Sequence, residues 1–151
     1  MKTLPALALA LAFTLAPAGF AAMAADPPKP ATASAAPQKH RVIIQVSEAD
    51  PRMWAQAINF TENLRQLLGK DNVETEIVAL GLGIGLLKLD SPHANRVAES
   101  LKLGVKITAC ESTMTRQKLG KDDMLPDIGY APGGILRIIE RQREGWTYIK
   151  V

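Results

Sequence analysis

A single cysteine, Cys110, stands in the whole chain, which excludes an internal disulfide and any cysteine-rich metal knuckle. Histidine is nearly as scarce. His40 and His93 are far apart in the sequence, neither shows metal-ligand spacing, and no metal or cofactor is expected. A Gly-x-Ser-x-Gly elbow is absent, which removes the nucleophile motif of an esterase-type triad, and Cys110 has no histidine partner at a recognisable spacing. Aromatics are few, with two Trp, two Tyr and three Phe, and Lys and Arg are scattered among Asp and Glu without a basic run. Nucleic-acid binding calls for a clustered basic patch with interleaved aromatics, so no nucleic-acid partner is expected.

Long apolar runs are confined to the N-terminus. Met1 and Lys2 give a short basic start, Leu4 to Leu15 run almost wholly apolar, Pro17 and Gly19 break any helix, and Ala22-Met23-Ala24 has the small-x-small spacing of a cleavage site. The run is shorter than the roughly 20 residues a spanning helix needs. Residues 1–24 therefore read as a removable signal peptide, and the mature chain is expected to be soluble, off the membrane, and periplasmic or secreted. Residues 25–39, ADPPKPATASAAPQK, hold too little apolar surface for a core and read as a disordered linker. The formal charge of +3 includes one unit from Lys2, so the mature chain is close to neutral.

The folded part, 40–151, is of ordinary size for one domain. Arg41 to Ser47 is a β-branched run. Asp50-Pro51 then supplies an N-cap and a first-turn proline for a helix to about Leu68, with Trp54, Ala57, Ile58, Thr61, Leu64 and Leu68 on one face. Val73 to Leu80 reads as a second strand, Gly81 to Gly85 as a flexible turn, and Ser91-Pro92 as the start of a second helix. Val105 to Ala109 is a third strand that delivers Cys110 at its end, followed by a short polar helix from Glu111 to Lys118. A brief strand over Ile128 to Ala131, a helix with Ile135, Ile138, Ile139 and Gln142 inward, and a closing strand over Trp146 to Lys150 complete the pattern. Strands alternating with helices imply parallel βαβ units. The fold class is α/β, a flavodoxin-like three-layer sandwich with a mostly parallel sheet of about five strands.

In such a sheet, ligands bind at the carboxyl ends of the strands. That places Cys110 among the turns at Gly81 to Gly85, Ser112-Thr113 and Ala131 to Gly134. A helix following Cys110 favours the thiolate, and Glu111 opposes it. Gly81, Gly83 and Gly85 match neither the dinucleotide fingerprint nor a Walker loop, so tight-turn geometry is the simplest account of them. A lone thiol of this kind is buried and inert, paired with another chain, or kept for chemistry.

Ala109-Cys110, Thr113-Met114, Asp123-Met124-Leu125-Pro126, the Pro132-Gly133-Gly134 turn, Gln142-Arg143-Glu144-Gly145-Trp146 and Tyr148-Ile149-Lys150 together resemble the DsrE/DsrF-like family, in particular its exported single-domain members. The Gly81 to Gly85 turn and the opening VIIQVSEADPRMW fit as well. The resemblance implies a flavodoxin-like sandwich that commonly forms homo- or hetero-oligomers. It also implies sulfur carried as a persulfide on a cysteine at the end of a central strand, the position of Cys110. Family relays act in the cytoplasm, whereas this chain reads as exported, and Ser112 stands where exported members often carry Asn. The leading expectation is thus an exported sulfur-handling protein in which Cys110 accepts sulfane sulfur from a protein thiol or a small sulfur donor. Gly81, Gly83, Gly85, Ser112, Thr113 and Gly133 are the expected binding residues, no cofactor is needed, and a homo-oligomer is among the expectations. The alternatives are a noncatalytic small-ligand or assembly module with an inert buried cysteine, and a thiol that docks a redox partner through a mixed disulfide.

Overall fold

Two rows of side chains leave the first strand in opposite directions. In β1, His40–Val46, residues Val42, Ile44 and Val46 enter one apolar cluster and Ile43 another. Both faces are therefore covered, which is why the strand reads as a continuous apolar run. The computed structural model describes residues 39–151. The signal peptide expected at 1–24 and the linker expected at 25–39 lie outside the described residues, Lys39 apart.

Helix α1, Pro51–Leu68, starts where the Asp50 carboxylate accepts the Arg52 backbone N–H at 2.8 Å, with Pro51 in the first turn. Then come β2, Val73–Ala79, a 3-10 segment Gly81–Leu87, and α2, Ala94–Lys102. Strand β3, Lys106–Cys110, runs directly into α3, Glu111–Gln117, and a 3-10 turn Lys121–Asp123 leads to β4, Gly129–Ala131. Helix α4, Gly134–Arg143, and β5, Thr147–Lys150, close the chain. The stretch from Gly81 to Gly85, expected as a flexible turn, is instead part of the 3-10 segment. Burial of Ile84, Leu86 and Leu87 holds it in place.

Every strand pairing is parallel, and the order is β4-β3-β2-β1-β5. From β1 to β4 the chain advances in one direction, and right-handed crossovers put the intervening helices on one face. Trp54, Ala57 and Ile58 of α1, Val97 of α2 and Met114 of α3 share a cluster there with Ile77, Ile107 and Ala109. The step from β4 to β5 returns across the sheet, so α4 lies on the other face, where Ile138 packs with Ile43, Val78 and Trp146. The fold is thus a flavodoxin-like three-layer α/β sandwich with three helices on one side and one on the other. Each fully buried Ile or Leu contributes about 1.5–3 kcal/mol before chain entropy is counted. Among the described residues, no helix is long and apolar enough to cross a membrane.

Helix α4 departs from the expected orientation. Its inward stripe is Gly134, Arg137, Ile138 and Arg141, while Ile135, Ile139 and Gln142 face outward. The cause is Glu76 on β2, which is 0% exposed beneath the helix. A buried carboxylate is very costly unless it is paired, and Arg137 Nε at 2.8 Å and Arg141 Nε at 2.6 Å supply the partners. Thr108 Oγ1 is a third partner, donating at 2.9 Å. Relative to the apolar pattern, the helix is turned by about one residue, roughly 100° at 3.6 residues per turn.

Candidate functional site

Strands β3 and β4 are neighbours, yet the chain leaves them toward opposite faces, β3 into α3 and β4 into α4. Their diverging turns open a crevice at the carboxyl edge of the sheet, the place where such folds bind ligands. Cys110 ends β3 at that point and is also the N-cap residue of α3. Its side chain points to the α4 face, as the alternation Lys106, Thr108, Cys110 requires.

Only 3% of Cys110 is exposed, but it is not sealed among apolar groups. It forms part of the wall of a cavity of about 460 Å³ whose other lining includes Gly81, Ser112, Thr113, Gly133 and Gly134. Leu80, Leu82 and Ile135 add an apolar rim, and Arg116 and Gln117 bring polar ends from α3. The Gly134 backbone N–H donates to Cys110 Sγ at 3.1 Å, and Ser112 Oγ lies 3.1 Å from the sulfur. Burial pushes the thiol up, but hydrogen bonds from the Ser112 and Thr113 hydroxyls and from the Gly134 and Thr113 backbone outweigh it, so the thiol is held below its ordinary value. These donors all favour the thiolate, which is the nucleophile. Glu111, expected to oppose the thiolate, is not among the leading influences on the sulfur; burial, and after it the Glu111 carboxylate, push the Tyr130 phenol up.

The 3-10 segment is tied to α3 at Gly81. Its N–H donates to Thr113 Oγ1 at 3.1 Å, and its carbonyl accepts Gln117 Nε2 at 2.9 Å. With its oxygen occupied as an acceptor, the Thr113 hydroxyl is left to donate toward the sulfur. Gly81, Ser112, Thr113 and Gly133 are therefore brought together around Cys110, whereas Gly83 and Gly85 are not. A Cβ on Gly83 would lie 2.3 Å from the Val46 carbonyl oxygen, and one on Gly85 would lie 2.7 Å from the Trp54 ring. These two glycines make room for the packing of the segment on β1 and α1. The backbone amides of two expected binding residues are also already engaged: Gly83 N–H donates to the Ser47 and Leu80 carbonyls, and Ser112 N–H to the Pro132 carbonyl. Gly134 was the donor to find, and a second consecutive glycine after Pro132 is the only trace of it in the sequence.

Neither histidine lines the cavity. His40 sits at the opposite end of the sheet, at the start of β1, and His93 Nε2 donates to the Pro51 carbonyl at 2.8 Å. Among the described residues, no group of three or more His, Cys, Asp or Glu is placed to hold a metal ion. The site offers one thiol in a field of hydrogen-bond donors, with no His, Asp or Glu among the described residues that line the cavity.

No family model matches the sequence, and no curated protein matches it. Solved structures do. MTH1491 from Methanobacterium thermoautotrophicum, a protein of unknown function, is 31% identical, with a TM-score of 0.71 over 75% of this chain and 100% of its own. BT1422 from Bacteroides thetaiotaomicron, a conserved protein of unknown function, is 15% identical, with a TM-score of 0.57 over 74% of this chain and 94% of its own. The ychN protein of E. coli is 8% identical, with a TM-score of 0.58 over 76% of this chain and 99% of its own. The last two share the fold alone.

Proposed function

We propose that this chain, which belongs to the same family as MTH1491 of Methanobacterium thermoautotrophicum, is an exported sulfur carrier of the DsrE/DsrF-like type with Cys110 as its acceptor. The thiolate attacks the outer sulfur of a persulfide or of thiosulfate. A Cys110–sulfur bond forms as the donor's sulfur–sulfur bond breaks, and a thiolate or sulfite leaves. An acceptor thiolate then takes the outer sulfur and releases Cys110 as thiolate, so electrons balance without a cofactor. One observation carries the reading: the only thiol of the chain sits in a cavity wall with Gly134 N–H and Ser112 Oγ each 3.1 Å from its sulfur. Such donors stabilise an anionic sulfur, whether thiolate or persulfide. The noncatalytic reading is favoured by a different fact, the 3% exposure of Cys110.

Intact mass after incubation with thiosulfate or polysulfide tests the proposal. The expected result is a gain of one sulfur in the wild type and none in Cys110→Ser. No gain, together with a folded protein whose Cys110 resists alkylation, moves the assignment to the binding module.

A further inference from the structure

The cavity explains the donors around Cys110 but not why α4 begins where it does. That helix is held at two points on one face. At its first residue, Gly134 abuts Cys110 and Leu80, where an added Cβ would lie 3.1 Å from the Cβ atoms of both. One turn on, Arg137 grips Glu76 through Nε at 2.8 Å and Nη2 at 3.4 Å, and Arg141 follows at 2.6 Å. Glu76 and Cys110 lie on the same side of the sheet on adjacent strands, with Lys106 opposite Glu76 in the register. The apolar pattern of α4 alone would turn Ile135 and Ile139 inward. The carboxylate turns Gly134, Arg137 and Arg141 inward instead.

We propose that Glu76 is a positioning residue for Cys110: by fixing the rotation of α4 through Arg137 and Arg141, it aims the Gly134 N–H at the sulfur. The inference rests on the reading of Cys110 as a reactive thiol and adds how that thiol is kept ionisable. Direct charge is a weak rival. The two residues are offset by about 13 Å along the strands at 3.3 Å per residue, and the Glu76 carboxylate is neutralised at contact distance by Arg137 and Arg141. The charged groups around the pair are few. Glu111 follows Cys110, Arg116 lines its cavity, and the 3-10 segment Gly81–Leu87 brings no charged residue. Tyr130 of β4 packs with the cluster on the other face. Around Glu76, Glu140 and Glu144 flank the two arginines, and Lys106 pairs with Glu74.

The test compares the wild-type chain with Glu76→Gln and Arg137→Gln, using the pH dependence of iodoacetamide alkylation with no sulfur donor present and circular dichroism as the check of folding. The two substitutions remove opposite charges. Positioning predicts that both raise the thiol midpoint, by about one pH unit, or a tenfold slower alkylation below it. A charge effect predicts that Glu76→Gln lowers it, and that outcome, or no shift in both folded variants, overturns the proposal. If Glu76→Gln does not fold, Arg137→Lys decides, because it keeps the charge and loses the planar fork that grips Glu76. An upward shift supports positioning, and no shift overturns it. Because the readout is ionisation alone, failure of the wild type to take up sulfur would leave this result standing, and a null result here would leave the persulfide reading standing.

Discussion

Ser112 and Gly134 hold the same sulfur by different means, and substitution separates them. Ser112 Oγ reaches Sγ at 3.1 Å from an otherwise solvent-facing position, so Ser112→Ala removes a donor and moves no backbone. The thiol midpoint rises by about one unit, and stability changes by less than about 0.5 kcal/mol. Gly134→Ala inserts a methyl where Cys110 and Leu80 already sit 3.1 Å away. It pushes α4 off the sheet, raises the midpoint as well, and costs roughly 1–2 kcal/mol. Alkylation–pH profiles and urea midpoints check both, and a Gly134→Ala variant as stable as Ser112→Ala would refute the steric account. The place of Cys110 was legible, because VKITAC ends a β-branched run immediately before a polar helical stretch. The roles within Gly-x-Gly-x-Gly were not. A glycine announces only that a Cβ is unwelcome, and whether a positive φ, as at Gly81, or the space taken by Val46 or Trp54 requires it is decided by residues distant in sequence.

At the scale of elements, Glu76 decides more than its residue type suggests. In VETEIVAL a glutamate on alternate positions reads as a solvent-facing strand residue. Under α4 it is buried, and only the arginines of a helix more than fifty positions later reveal this. The inward stripe 134, 137, 138, 141 has the same helical spacing as the apolar stripe 135, 138, 139, 142. Periodicity therefore gave the existence of α4 and could not give its rotation. Burial raises the Glu76 carboxyl, but Arg137, Thr108 and Arg141 hold it below its ordinary value of 4.5. The unfolded chain thus binds this proton more readily than the folded one. The stabilisation is fully present above the unfolded value and is lost as pH falls through the lower folded value. Glu76→Gln should be less stable than wild type by roughly 2–4 kcal/mol at neutral pH, because it unpairs two partly buried arginines. The gap should close on acidification through and below 4.5. Asp50, also held low by its arginine partner, affects both proteins alike, whereas Glu144 shares Arg141 with Glu76. Urea titrations of the pair across this range check it, and a gap that stays constant into acid contradicts the pairing.

For the whole molecule, strand–helix alternation was enough to derive a mostly parallel sheet, but not the order of its strands. The right-handed crossover rule fixes the hand of each step and leaves open the side on which β5 is added. That choice puts α4 alone on its face and makes β3 and β4 diverge, and the divergence creates the crevice at Cys110. The same layout bears on whether a thiol with 3% exposure can react at all. If the cavity admits small molecules to Cys110, alkylation needs no global opening. Its rate then stays nearly flat as urea rises toward the unfolding transition, because local fluctuations expose little new surface. If the sulfur is reached only through unfolding, the rate follows the unfolded population and climbs exponentially with urea, with the slope of the equilibrium transition. The divergent turns and the donors lining the cavity lead us to expect the flat profile with iodoacetamide at fixed pH. A profile that climbs with the full unfolding slope would mean that Cys110 is an internal packing residue and that the crevice serves some other ligand.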